Sequence, residues 1–303
     1  MKKGTILQIF VGIFLFVAFG FFHDQIFVGM LMATGRNQNC PAGQAVGSMS
    51  LGNWRHQRIA FMHANSKLLA RDAEHNLEQW ETPHGRFWLP RGSVKEVLYG
   101  LAEQDTNIYE LGDNGAHKGD VVLDFGANVG SYTRKALRLG ASKVVAVEPA
   151  PENLECLRRN LKDEIADGRV VLYPKGVWHK DDVLPLNVDP DNSAGDSFVI
   201  KRPGSHTVYL PLTTIDKMVD ELKLDRVDFM KFDIEGAERR ALEGGRNTLA
   251  KFHPRMAVCV YHLPDDPEAV PAAAKGGWAG YRYECGPCLV SDMRIMPEVF
   301  FFR

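Results

Sequence analysis

The sequence lacks an excess of either charge, an internal repeat, a low-complexity tract and a cysteine framework. Lys+Arg total 36 and Asp+Glu 38, for a formal net charge of −2. A chain so near neutral has no electrostatic footprint for gripping a phosphate backbone, so nucleic acid is not expected as a partner. Five cysteines in 303 residues exclude a disulfide miniprotein. Cys285-Gly-Pro-Cys288 has the spacing of a redox pair or of half a zinc site. Only fifteen residues follow Cys288, too few for a thioredoxin-like module, and Cys40, Cys156 and Cys259 are isolated. The pair is therefore read as a turn with two ordinary thiols, or as an incidental disulfide in an oxidising compartment. Cys156 and Cys259 read as small buried hydrophobes. No His/Asp/Glu spacing demands a metal, and none is expected. What remains, 45% hydrophobic and 24% charged residues, is the composition of an ordinary globular chain.

The apolar residues are unevenly spread. Thr5 to Phe22 holds Gln8 as its one strongly polar side chain. Eighteen helical residues span about 27 Å, just under a bilayer core of roughly 30 Å. His23 and Asp24 interrupt the run, and Gln25 to Met32 is again mostly apolar. Residues 1–35 are read as a retained single-pass membrane anchor. A cleavable signal would want a shorter apolar stretch and a small-x-small site, and Ala18-Phe19-Gly20, which could serve, lies inside the run. Lys2 and Lys3 precede the span and Arg36 is the first basic residue after it, which by the positive-inside rule places the main domain outside.

Residues 36–86 are expected to form a linker and a helical extension. Asn37 to Asn53 is rich in Gly, Ser, Ala and Gln, and Trp54 to Trp80 has apolar residues at near-helical spacing. The main domain is expected over 87–303. Phe87-Trp88-Leu89 is a short strand candidate, and Ser93-Val-Lys-Glu96 fits a capping box opening a helix to about Glu103. From Asp120 onward the chain alternates. Strands are predicted at Val121–Asp124, Val144–Glu148, Val170–Tyr173, Val227–Asp233 and Met256–His262. Helices are predicted at Ser131–Leu139, Pro151–Leu161 and Ala237–Leu242. Continuous apolar strands separated by helices mean a mostly parallel sheet covered on both faces, an α/β fold. Val183 to Leu212 breaks the alternation and suggests an antiparallel insertion, and Tyr281 to Phe302 suggests a closing hairpin.

Three segments carry chemistry. In Val122-Leu-Asp124-Phe-Gly126-Ala-Asn128-Val-Gly130 a strand leads into a glycine loop and then a helix. The glycines let a ligand approach the backbone. Asp124 stands where a G-x-G-x-x-G fingerprint would need glycine; it suits a ligand ammonium better than a pyrophosphate. Glu148 closes the next strand, where a carboxylate can accept hydrogen bonds from both ribose hydroxyls. The third segment is Lys231-Phe-Asp233-Ile-Glu235-Gly-Ala-Glu238. Period-two geometry puts Lys231 and Asp233 on one strand face, and Glu238 reads as a helix-capping or solvated acid. Asp124, Glu148, Asp233 and His262 all fall at carboxyl ends of predicted parallel strands, the edge where open α/β sheets hold their ligand crevice.

With these motifs together the chain resembles the FkbM-type family of S-adenosylmethionine-dependent methyltransferases. The resemblance covers roughly 87–303. It rests on the glycine-loop segment, on Val147-Glu-Pro-Ala-Pro-Glu-Asn153 and on Lys231–Glu238. It implies a class I, Rossmann-like methyltransferase fold with a seven-stranded sheet, S-adenosyl-L-methionine as cofactor, and methylation of a hydroxyl oxygen on a sugar, glycolipid, lipid-linked or other small molecule. Expected cofactor contacts are Asp124, Gly126, Asn128, Gly130, Glu148 and Asn153; expected catalytic residues are Asp233, Glu235 and His262. A cofactor made in the cytosol favours a cytosol-facing domain, against the lysine asymmetry. A nonenzymatic, membrane-held binding module with the same fold is the alternative. A nucleotide-dependent oxidoreductase is disfavoured by Asp124.

Overall fold

The computed structural model describes residues 23–190 and 192–303. The chain begins with a helical stretch at 23–33, here α1, followed by α2 (Ala42–Ala64), β1 (Lys67–Asp72), β2 (Leu77–Thr82), β3 (Gly85–Pro90) and α3 (Val94–Asp105). The alternating part then runs β4 (Val121–Phe125), α4 (Ser131–Arg138), β5 (Lys143–Val147), α5 (Pro151–Asn160), α6 (Lys162–Ala166) and β6 (Val170–Tyr173). An insertion follows, with β7 (Gly176–Val177), β8 (Asp182–Val188), a 3-10 turn (Ser193–Gly195) and β9 (His206–Thr213). The chain returns through α7 (Ile215–Glu221), β10 (Phe229–Phe232), α8 (Glu238–Glu243), α9 (Arg246–Phe252), β11 (Arg255–Cys259) and α10 (Asp266–Gly277). It ends in β12 (Tyr283–Cys285), β13 (Cys288–Ser291), β14 (Arg294–Pro297) and β15 (Val299–Phe302).

The central sheet has seven strands in the order β12-β15-β11-β10-β4-β5-β6. Five of them are mutually parallel, and β15 runs antiparallel to both neighbours, making the sheet mixed. The expected closing hairpin is thus split. β12 and β15 join the main sheet, and β13 and β14 pair beside it. The order reverses between β4 and β10, the strands that carry the glycine loop and the Lys231–Glu238 block, so the crevice opens at that switch point. Apolar runs such as Val144–Val147 are buried on both faces, as a helix-covered parallel sheet requires.

The N-terminal third departs from its sequence reading. Asn37–Asn53 is not a linker, because α2 starts at Ala42 and buries Ala45 and Ser48 against β13. The small residues that suggested flexibility allow close approach instead. The helix expected over 54–80 stops at Ala64, and the chain enters an antiparallel sheet of β1, β2 and β3. Asn76, at φ 54°, makes the turn before β2, a conformation a continuing helix cannot hold. The Ser93 side chain does not cap α3; its Oγ accepts the Ser193 N–H at 3.1 Å instead.

Most of the expected anchor, residues 1–22, lies outside the described residues. Its remainder is α1, whose Val28 and Leu31 pack with Cys40, Ala45, Cys288 and Ile295. Among the described residues no helix is long and apolar enough to cross a membrane. Cys288 is disulfide-bonded to Cys40 across 248 residues of sequence. Cys285 is free, 3.8 Å from the Cys288 sulfur, so the two thiols of the Cys-x-x-Cys turn are not equivalent. Cys156 and Cys259 are buried as expected.

Candidate active site

A cavity of about 480 Å³ opens along the carboxyl edge of the sheet. One side is built by the loops after β4 and β5. Gly126 has φ +78°, and a Cβ there would stand 1.9 Å from the Asp233 carbonyl oxygen, so the loops after β4 and β10 can touch only through glycine. Gly130 caps α4 in the left-handed conformation at φ 92°. Glu148, the residue after β5, accepts the Asn128 N–H and the Ala150 N–H, each at 2.9 Å. Burial pushes its carboxyl up to about 7, against these two backbone donors, which favour the charged form. The neighbouring walls are apolar, with Val147, Pro149, Val177, Leu186 and Phe198.

The other side of the cavity is acidic. Asp233 follows β10 and accepts the Tyr109 hydroxyl at 2.7 Å. Burial works to raise its pKa, but the charges of Lys231 and His262 outweigh it and hold it below the usual carboxylate range. Glu235 stands at φ 53°. Its carbonyl accepts the Ser197 hydroxyl at 2.6 Å and its carboxylate pairs with Arg202 at 2.7 Å, both from the insertion. Those bonds hold a conformation that non-glycine residues rarely adopt.

His262 lies behind this pair. Its Nε2 is 3.4 Å from Asp233 and 3.5 Å from Glu235, and its Nδ1 is 2.9 Å from Glu238. These are ionic contacts; neither ring nitrogen has an aligned hydrogen-bond partner. Burial alone would lower the imidazole pKa, but Glu238 and Glu235 outweigh it and hold it well above its ordinary value. The ring stands among three carboxyl groups, and Asp233, Glu238 and His262 bring donor atoms within 4.8 Å of one another.

Of the nine residues expected from the sequence, Gly126, Asn128, Glu148, Asp233 and Glu235 line the cavity. Asp124, Gly130, Asn153 and His262 do not; they stand behind it. Asp124 is fully buried, accepting the Thr133 hydroxyl at 2.6 Å and pairing with Lys231 at 3.2 Å. That ion pair joins Lys231 to Asp124 rather than to Asp233, and it leaves Asp124 no opening toward a ligand ammonium. Asn153 donates to the Ser193 carbonyl at 3.2 Å, as does Asn128 at 3.1 Å, which ties the 3-10 turn of the insertion to the glycine loop and α5. Glu238 accepts the Ile234 N–H at 2.9 Å and is fully buried, so it is a loop and helix-start brace rather than a solvated acid.

Several lining residues carry no sequence signal. Tyr109 comes from the irregular stretch between α3 and β4. Ile59 and His63 come from α2, and Tyr99 and Glu103 from α3. Arg55 of α2 is buried, bonds both Glu298 oxygens at 2.6 and 2.9 Å, and lies 3.2 Å from Glu103. Burial pushes Glu103 up to about 8 despite Arg55. Tyr261 was within reach of sequence reasoning, because it precedes His262 at the same strand end.

S-adenosyl-L-methionine fits the residues present. Glu148 lines the cavity, Asn153 Oδ1 and Ser193 Oγ have no partner among the described residues, the apolar walls suit a purine face, and the acidic side suits a cationic sulfonium. A profile of the methyltransferase FkbM domain matches residues 113–283, more than half of the chain. The chain is similar to the 2-O-methyltransferase NoeI of Sinorhizobium fredii, at 27% identity over 43% of this chain and 59% of that protein. It is also similar to the hexuronic acid methyltransferase AglP of Haloferax volcanii, at 24% identity over 51% of this chain and 61% of that protein. The chain spans about three fifths of the length of these curated relatives. Among solved structures, a methyltransferase FkbM from Methylobacillus flagellatus KT aligns with a TM-score of 0.48 and 18% identity, over 69% of this chain and 54% of that one.

Proposed function

The chain belongs to the FkbM methyltransferase family, and from that premise we propose that it methylates a hydroxyl oxygen of a sugar, a glycolipid or another small molecule, with S-adenosyl-L-methionine as cofactor. The observation that carries this reading is the pairing, in one cavity, of Glu148 on the cofactor side with Asp233 and Glu235 on the other. The relatives NoeI and AglP, a 2-O-methyltransferase and a hexuronic acid methyltransferase by name, support a sugar hydroxyl as the acceptor.

The cofactor supplies a methyl group already activated on sulfur, so this chain's residues have mainly to align and to handle one proton. Glu148 would accept the ribose hydroxyls and so fix where the methyl group points. Asp233 and Glu235 face the acceptor. The Asp233 carboxylate would accept a hydrogen bond from the acceptor hydroxyl and take up its proton while that oxygen gains the methyl group and the methyl–sulfur bond breaks, leaving a neutral thioether. Tyr109 holds one Asp233 oxygen, and His262 stands 3.4 Å from the other. His262, whose pKa Glu238 and Glu235 raise against burial, orients Asp233 and Glu235.

The Thr5–Phe22 run is proposed as a single-pass anchor, with residues 23–33 packed against the protein rather than in the membrane. A cytosolic supply of cofactor favours a cytosol-facing domain. The Cys40–Cys288 bond favours an oxidising compartment, the side that the N-terminal lysines also indicate. Protease treatment of sealed, oriented vesicles decides between them: cleavage of the main domain without permeabilisation puts it outside.

Calorimetric titration of the full chain with S-adenosylhomocysteine tests the methyltransferase reading. One binding site per chain is expected. A chain that binds neither cofactor form but captures a partner without it would instead be a binding module.

A further inference from the structure

The outward face of α2 is unusual for an exposed helix. Positions 43, 46, 47, 50, 53, 54, 57, 60, 61 and 64 recur at three- and four-residue steps, all are exposed, and none is charged. Solvated helix faces normally carry charge. This one instead presents Val46, Trp54 and Phe61, which are 44%, 40% and 42% exposed. The two arginines of α2 are both paired with carboxylates, and Arg58 flanks the face. Arg55 is buried on Glu298 and Glu103. Arg58 bonds Asp105, and its guanidinium lies 4.4 Å from the Phe61 ring and 5.9 Å from the Trp54 ring. That stacking fixes both aromatic rings at the surface before any partner arrives.

The placement of α2 indicates what the face meets. Asn53 of α2 reaches Asp24 of α1 at 3.4 Å, so α2 lies beside the first described helix after the Thr5–Phe22 apolar run. The exposed positions of α1 include Ile26 and Met30, 44% and 61% exposed. Tryptophan and phenylalanine on an uncharged helix face, next to the end of an apolar run of bilayer length, are the chemistry of a membrane–water interface. The same helix also contributes Ile59 and His63 to the cavity wall.

We propose that the outward face of α2 rests on a lipid bilayer surface, with Trp54 and Phe61 at the headgroup–acyl boundary. The cavity, lined by Ile59 and His63 on the other side of α2, then lies one helix from the membrane, and among the acceptors named above it takes one carried on a lipid. This last step rests on the reading of the cavity as a methyl-transfer site; the bilayer contact itself does not.

The test uses the full chain in phosphatidylcholine nanodiscs whose acyl chains are either brominated or not. Tryptophan emission is compared between the wild type and Trp54→Phe. Bromination should quench the wild type, and that part of the quenching should disappear in Trp54→Phe. The double variant Val46→Glu/Phe61→Glu should reduce the Trp54 quenching at least twofold. Equal quenching of wild type and Trp54→Phe overturns the proposal. So does a Trp54 emission that is blue-shifted yet unquenched, since that face is then covered by residues 1–22 or by a second copy of the chain. S-adenosylhomocysteine binding by the same nanodisc samples separates the two readings. Lost quenching with retained binding removes the membrane contact alone, and lost binding removes the methyltransferase reading.

Discussion

The two sides of the cavity are built differently. The Glu148 side is made by loops at the ends of neighbouring parallel strands, and its key contacts are short in sequence: Glu148 accepts from Ala150 two residues on and from Asn128 twenty residues back. The Asp233 side is assembled from distant parts: Tyr109 reaches Asp233 across 124 residues and Arg55 reaches Glu298 across 243. A side made of local βα units is the same wherever that unit folds. A side made of long-range contacts can be rebuilt around a different acceptor without disturbing the first. Substitutions should therefore divide cleanly between the two.

The largest expected effect is on the acceptor side at the reacting centre. Asp233→Asn removes the proton acceptor and should lower kcat by roughly 10²- to 10³-fold, while S-adenosylhomocysteine affinity changes by less than about threefold. A parallel loss of affinity would show that Asp233 belongs to the cofactor side. Next is Glu148→Ala, which should weaken S-adenosylhomocysteine binding by about 100-fold, the scale of losing two hydrogen bonds to a charged group. Calorimetry checks this, and a change under threefold would remove Glu148 from the cofactor side.

Protonation sharpens the same division. The Glu148 carboxyl is raised by burial from 4.5 to about 7, so folding favours its protonated form. That contribution to stability is complete below the unfolded value and is lost as pH rises through about 7. The melting temperature of the ligand-free protein should fall as pH rises from about 5 to 8. Over the same range S-adenosylhomocysteine affinity should rise by up to about tenfold, because the carboxylate is the better acceptor of ribose hydroxyls. The affinity trend should flatten in Glu148→Gln, while the melting trend should only become shallower, because Glu103, raised to about 8, contributes in the same direction. The smallest effect is expected at Ile59, on the α2 wall. Ile59→Ala should raise the acceptor KM by about 5-fold, the scale of a trimmed apolar contact, with cofactor affinity unchanged.

Legibility in the sequence follows the same boundary. The alternation from Asp120 onward places the parallel strands correctly because continuous apolar runs and proline-led helices are local patterns. The same local patterns single out Gly126, Asn128 and Glu148, and strand-end position singles out Asp233 and Glu235; all five line the cavity. Asp124 was misplaced by the same rule: its position was right, but the Lys231 and Thr133 partners that seal it are set by packing. The region before Phe87 misled for a related reason. Leu69, Ala73 and Leu77 keep a helical spacing, yet the turn at Asn76 and the pairing with β3 make a sheet there. Tyr109 and Glu103 have no local signature at all. Cys40 was isolated in sequence, and only folding brings it to Cys288.

The central claim is that this cavity transfers a methyl group to a hydroxyl. Its most direct test incubates the full chain and its Asp233→Asn variant with methyl-labelled S-adenosyl-L-methionine and glycan and glycolipid fractions, and identifies the labelled product by mass spectrometry. The account predicts a labelled methyl ether on a sugar or lipid-linked hydroxyl from the wild type and little from the variant. Label on nitrogen or carbon, or equal labelling by both proteins, would contradict it.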